Sequence, residues 1–273
     1  MIISISRRFI FVHLHKCGGE SIEASLAPHL TFNDFLNGAQ ASKTEPWLSE
    51  MMLDRLTGLS KHSPAAAIKA QLGEFYAYFH TFATVRAPHR RIHSLYSFSI
   101  GLARKSPGLR ALLGEDVVDK ATWPDLTGML WGRLGLTEEQ VGPALAAGQI
   151  PPEAAFLTTE IAMTYAAVLG ALQSNSFAGF IRHDATRQDP AFATQWSMVS
   201  DAEGNRIVER IIRIEDIDRD WPEVAARLEV GPLLTRHNVS DYTGVPAMKP
   251  EDTRHLAEVF AMDYERLGYG LPE

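Results

Sequence analysis

Residues 9–22 read FIFVHLHKCGGESI, and the fold class follows from how that run divides. Positions 9–14 are β-branched, aromatic or aliphatic apart from His13, the composition of a buried strand, and residues 15–19 end the pattern in a turn. Residues 21–26 then read as a helix. A lysine, two glycines and a hydroxyl residue therefore occupy the connection between the end of a strand and the start of a helix. Backbone N–H groups are unsatisfied at such a place, and negative charge is stabilised there. Gly18 and Gly19 let the backbone approach an oxyanion closely, and Lys16 adds a full positive charge. The stretch predicts an anion site.

A second run of the same design, TFATVRAPHRRIHSLYSF, occupies residues 81–98. A strand over 81–85 ends at Arg86, Pro88 suits the first turn of a helix, and Ile92, Leu95, Tyr96 and Ser99 recur at helical spacing. Ligands of open α/β sheets sit outside the carboxyl ends of the strands, which aims Arg86 at the crevice that Lys16 serves. Arg86 can grip a phosphate with two nitrogens, and Ser94, about two turns into the helix, offers a hydroxyl.

Working outward, Ser63 is the expected N-cap of a helix reaching Leu72, and RIVERIIRI at 206–214 is a third strand with Glu215 and Asp216 in the turn behind it. Residues 101–179 are mostly helical by pattern, broken at Pro107, Pro124, Pro143 and Pro151-Pro152. A closing helix covers 251–267, with Leu256, Val259, Phe260 and Tyr264 as its core stripe. Strands interleaved with helices predict a three-layer α/β/α fold with a mainly parallel sheet and a helical insertion, in one domain of 273 residues.

A net charge of −7 argues against a general nucleic-acid binder, which needs a broad basic footprint. Any anionic ligand has to be held locally. The short apolar N-terminal stretch is interrupted too early to span a bilayer or to serve as an export signal, and the single cysteine, Cys17, can form no internal disulfide. Both features predict a cytoplasmic protein. The ten histidines show no metal-ligand spacing.

Three rival sites fail on the letters. A nucleoside-triphosphate P-loop places its lysine after the glycines. A cysteine-dependent phosphatase needs an arginine where Glu23 stands, and G-x-G-x-x-G is absent. A kinase would want an acid at the end of the second strand to hold magnesium, where Arg86 has the opposite charge. The ligand reads as doubly anionic and metal-free.

The two runs resemble the paired signatures of sulfotransferases that use 3′-phosphoadenosine 5′-phosphosulfate (PAPS), particularly the carbohydrate branch found in bacteria and the Golgi. GLSKHSPAAAIK (58–69) resembles that family's K-H stretch, and RIIRIEDIDRDWPEV (210–224), RHNVS (236–240) and DYERLGYG (263–270) resemble its C-terminal region. The likeness covers most of the chain. It implies the sulfotransferase variant of the P-loop nucleoside triphosphate hydrolase fold. It also implies transfer of a sulfuryl group to a hydroxyl, on a glycan or glycolipid by family analogy, with PAP as product and no metal.

Carried over by position, Lys16, the backbone of Cys17, Gly18 and Gly19, and the Ser21 hydroxyl face the 5′-phosphosulfate, while Arg86 and Ser94 hold the 3′-phosphate. Arg91 serves the structure. Two departures stand out: Leu14-His15 replaces a hydrophobic-proline pair, and Glu20 replaces a threonine. A carboxylate aimed at the site would repel the donor, so Glu20 is expected to turn away and support its own helix.

Sulfuryl transfer needs a base for the acceptor hydroxyl and positive charge on the leaving oxygen. Lys16 suits the second role and His62 the first, with Lys61 adding charge. Of His13 and His15, one at most is expected to face the crevice. Cys17, beside a helix N-terminus, is a possible reactive thiol. Asn238 and Ser240 are weaker nucleotide contacts, and Trp123 and Trp131 are either packing residues or sugar platforms. Two alternatives remain open: a small-molecule or nucleoside kinase of related fold, and a non-catalytic nucleotide- or partner-binding protein.

Overall fold

The computed structural model describes residues 1–38, 54, 55, 57–149, 151–157, 165–231 and 247–270. In chain order the elements are β1 (Ile2–Ser4), β2 (Phe9–Val12), α1 (Gly19–Leu26), β3 (Phe35–Leu36), α2 (Ala65–Leu72), β4 (His80–Val85), α3 (Pro88–Arg104), α4 (Pro107–Leu113), α5 (Glu115–Lys120), α6 (Trp123–Arg133) and α7 (Glu138–Ala146). There follow α8 (Ala166–Leu172), α9 (Phe177–Arg182), α10 (Asp184–Gln188), α11 (Gln195–Val199), β5 (Arg210–Arg213), α12 (Ile217–Arg227), α13 (Pro250–Val259) and α14 (Ala261–Arg266). The described residues form two compact units. One draws on Met1–Ala87, Thr194–Val239 and Met262–Gly270, the other on Pro88–Ala193 and Ser240–Ala261.

The first unit is mixed α/β, with a five-stranded sheet in the order β3-β1-β2-β4-β5. β2, β4 and β5 pair in parallel, whereas β1 runs antiparallel to both β2 and β3. The expected mainly parallel sheet is therefore confined to its three predicted strands. The antiparallel edge escaped prediction because β1 and β3 are three and two residues long, too short for period-2 alternation to register.

Strand residues alternate between two apolar clusters. Phe9, Phe11, Phe82 and Ile212 join Ile22 and Leu26 of α1 and Trp221 and Val224 of α12. Ile10, Val12, Ala83 and Val85 join Ala65 and Ile68 of α2 and Trp196 and Val199 of α11. Because both faces are buried, these strands read as continuous apolar runs.

The second unit consists of helices among the described residues. Pro88 opens α3, and Pro107 and Pro124 sit in the first turns of α4 and α6. Pro143 lies inside α7 and does not end it, contrary to expectation. Trp123 and Trp131 are buried, their indole nitrogens donating to the carbonyls of Ala171 at 3.2 Å and Leu172 at 3.1 Å. They pack and do not present sugar platforms. The expected closing helix breaks in two at Phe260, which leaves Val259 exposed while Leu256, Phe260 and Tyr264 are buried. No described helix is long and apolar enough to cross a membrane.

Candidate functional site

β2 ends at Val12, earlier than expected, and a turn leads into α1 at Gly19. Two residues of that turn occupy the left-handed region: Gly18 at φ 74° and, against the usual preference, Lys16 at φ 61°. Left-handed backbone at a non-glycine residue is a strain tolerated where surrounding structure imposes it.

Both glycines have a packing reason as well. A Cβ on Gly18 would lie 2.6 Å from Ile214 Cδ1, and one on Gly19 would lie 2.1 Å from the His13 ring. Gly18 is the N-cap of α1 and supplies no capping side chain, so the first-turn N–H groups gain no side-chain partner from it. Ser21 is buried in that first turn.

Lys16 gathers the charge of the site. Burial, with Arg86 and Lys61 adding to it and Glu20 opposing, brings its ammonium down to about 8. Arg86 and Lys61 thus both act on Lys16 at the ends of β2 and β4. Glu20 does not turn away as expected. Its carboxylate lies 3.4 Å from Lys61 Nζ and favours the charged form of Lys16. Still the first-turn acid of α1, it offsets part of the charge that an anion would meet.

His62 donates from Nδ1 to the carbonyl of His13 at 2.8 Å. A carbonyl only accepts, so Nδ1 carries the proton and Nε2 is the basic nitrogen. Burial and the neighbouring His13 and His15 hold its pKa well below the usual histidine range, so the ring is neutral near pH 7.

His13 and His15 do not divide as expected, because residues two apart point to the same side of an extended chain. Both rings meet His62, with centroids 4.6 and 3.6 Å away. His13 is buried and donates to Glu23 Oε1 at 2.7 Å, and burial together with the Met1 amino group keeps it neutral. Ser63 does not cap α2. Pro64 is the N-cap, and Ser63 Oγ accepts from the Ser60 amide at 2.8 Å.

Arg86 follows β4 and is held by its backbone. Gln195 Oε1 accepts from the Arg86 amide at 2.8 Å while Gln195 Nε2 donates to the Arg86 carbonyl at 2.8 Å. The next amide, Ala87, donates to Glu215 Oε1 at 2.9 Å, and Tyr269 donates to Glu215 Oε2 at 3.0 Å. The Cys17 thiol donates to Gln195 Oε1 at 3.1 Å and lies 3.3 Å from the His15 carbonyl. Fully buried between two acceptors, Cys17 is a packed thiol and not the exposed nucleophile considered above.

Lys16, Cys17, Gly18, Gly19, Ser21, His62 and Arg86 all belong to the first unit. Ser94 belongs to the second unit, where it is buried in α3. Arg91, also in α3, donates to the carbonyls of Ala191 and Ala193, each at 2.7 Å, the structural role expected of it. Asn238 and Ser240 lie outside the described residues. Gln195, Asp263 and Tyr269 were not singled out by sequence, and neither was the grip of Glu215 on Ala87. Comparison with family models, curated proteins and solved structures finds no match to this chain.

Proposed function

We propose that the protein is a PAPS-dependent sulfotransferase that moves a sulfuryl group to an acceptor hydroxyl, on a glycan or glycolipid. The observation that carries this reading is the joint placement of Lys16 and Arg86. Each follows the end of one of two adjacent parallel strands, and the Arg86 charge is among those that lower the Lys16 pKa, after burial. Two cations at neighbouring strand ends suit a ligand with two separated anionic groups. The apolar clusters on both sheet faces favour the three-layer arrangement of that fold.

In this reading the turn at 16–19 and the start of α1 receive the 5′-phosphosulfate, and Arg86 receives the 3′-phosphate. His62 Nε2 takes the acceptor's proton as its oxygen attacks sulfur. The bond from sulfur to the bridging oxygen then breaks, and Lys16 offsets the charge left on PAP. The His13 carbonyl fixes the Nδ1–H of His62 and leaves Nε2 as the proton acceptor, burial works against that role by lowering its basicity, and Lys61 adds charge beside the sulfuryl group. In this reading the transfer calls on no metal.

The test is calorimetric titration of PAP and PAPS in EDTA against the wild type, Lys16→Ala and Arg86→Ala. Micromolar binding by the wild type that each substitution weakens by about a hundredfold supports the reading. Failure to bind PAP, with binding of ATP–magnesium instead, refutes it in favour of a kinase.

A further inference from the structure

Gln195, at the first position of α11, is 1 % exposed, and its side-chain amide bonds residues of both turns of the candidate site. It meets both the N–H and the C=O of Arg86, each at 2.8 Å, as a neighbouring strand would, one residue beyond the end of β4. The same Oε1 accepts the Cys17 thiol at 3.1 Å, which reaches into the turn after β2. Gln195 is itself fixed, because the buried Asp263 accepts the amides of Gln195 and Trp196, each at 2.8 Å.

We infer that Gln195 is a positioning residue that sets the spacing between the two anion-holding turns, and so selects ligands carrying two separated anionic groups over ligands carrying one. The inference rests on the donor-site reading above and deepens it. β2 and β4 pair in register only as far as Val12 and Ala83, so beyond them no ladder bond holds Lys16 and Arg86 at a fixed distance. Gln195 supplies that link through side-chain bonds. A doubly anionic ligand gains from preset spacing because less ordering remains to be done on binding, whereas a singly anionic one gains little.

The experiment compares the affinities of PAP and AMP for wild type, Gln195→Met, Cys17→Ala and Cys17→Ser. Loss of one or two net hydrogen bonds corresponds to a change of about tenfold. Gln195→Met is expected to weaken PAP by about that factor and AMP by less than about twofold, so that the PAP/AMP preference collapses. Cys17→Ala should move the ratio in the same direction, and Cys17→Ser, which keeps a donor, should restore it.

A purely structural role would lower both affinities alike, and that result overturns the inference, as does an unchanged ratio. If Gln195→Met does not fold, the two Cys17 variants carry the same readout. A wild type that binds neither ligand refutes the donor-site reading instead. The link is then tested alone by hydrogen exchange at the Arg86 amide, where equal protection in wild type and Cys17→Ala would refute a connection from the turn to Arg86.

Discussion

β2 and β4 have two ends of opposite character. Their carboxyl ends lead into Lys16 and Arg86, with Lys61, Glu20 and His62 close by, and side-chain amides and carboxylates pin the backbone there. Their amino ends open on a cleft of about 570 Å³ lined by Ile3, Ile5, Leu72, Phe75, Tyr78 and Phe79, with Arg8 as its one charged residue. Phe75 and Tyr78 are 63 % and 72 % exposed. The six residues of β4 separate the ends by about 20 Å. The contrast teaches what orientation requires. Apolar contact is non-directional and holds an aromatic cluster without fixing any one group, whereas fixing a cation at a strand end takes directed hydrogen bonds to backbone.

The comparison breaks most visibly at Arg86. Arg86→Ala should weaken PAP by about a hundredfold, the scale of a lost charge-assisted pair of bonds, as read by titration. Gly19→Ala comes next. His13 stands where the new methyl would go, and displacing a buried ring should cost about 1–3 kcal/mol of stability by denaturant unfolding. An unchanged midpoint would mean that the turn yields easily and that its glycines serve only ligand approach.

Proton linkage sharpens the contrast further. The Lys16 ammonium, brought down to about 8 chiefly by burial, is charged below that pH and loses its proton above it. PAP affinity should therefore hold steady near pH 7 and fall toward about tenfold per pH unit above 8. Lys16→Arg, whose charge persists, should flatten the profile.

Glu20→Gln removes a carboxylate beside Lys61 and Lys16, and should tighten PAP by several-fold, or about 1 kcal/mol, at pH 7. The gain should shrink above pH 8, because Glu20 also sustains the Lys16 charge. No gain at pH 7 would show that Glu20 does not compete with the ligand.

The charged end was legible in sequence to the extent that its parts are local. The strand, the GG turn, Lys16, Arg86 and Pro88 each declare themselves within a dozen residues, because strand composition, glycine conformation and helix starts are short-range properties. What pins them was not legible. Gln195 lies 109 residues from Arg86 and 178 from Cys17, and a lone glutamine in a five-residue helix carries no periodic signal.

The direction of Glu20 was misjudged for a related reason. Its helix position was visible, but the lysine that attracts it lies 41 residues on. The division of His13 and His15 failed because residues two apart share one side of an extended chain, and both rings meet His62.

The smallest expected effects belong to the apolar end, and they test whether the two ends are independent. Phe75→Ser changes a residue that is mostly exposed already, so stability should stay within about 0.5 kcal/mol. PAP affinity should stay within about twofold, since separated sites without shared partners act additively. Tyr76, one position along, gives the internal contrast: it is buried, and its hydroxyl donates to the Ile207 carbonyl at 3.1 Å. Tyr76→Phe should cost about 1 kcal/mol of stability through that bond and still leave PAP affinity unchanged. If either substitution weakens PAP, the amino ends of β2 and β4 transmit strain along the strands to Lys16 and Arg86, and the separation between an apolar end and a ligand-holding end gives way to one coupled sheet.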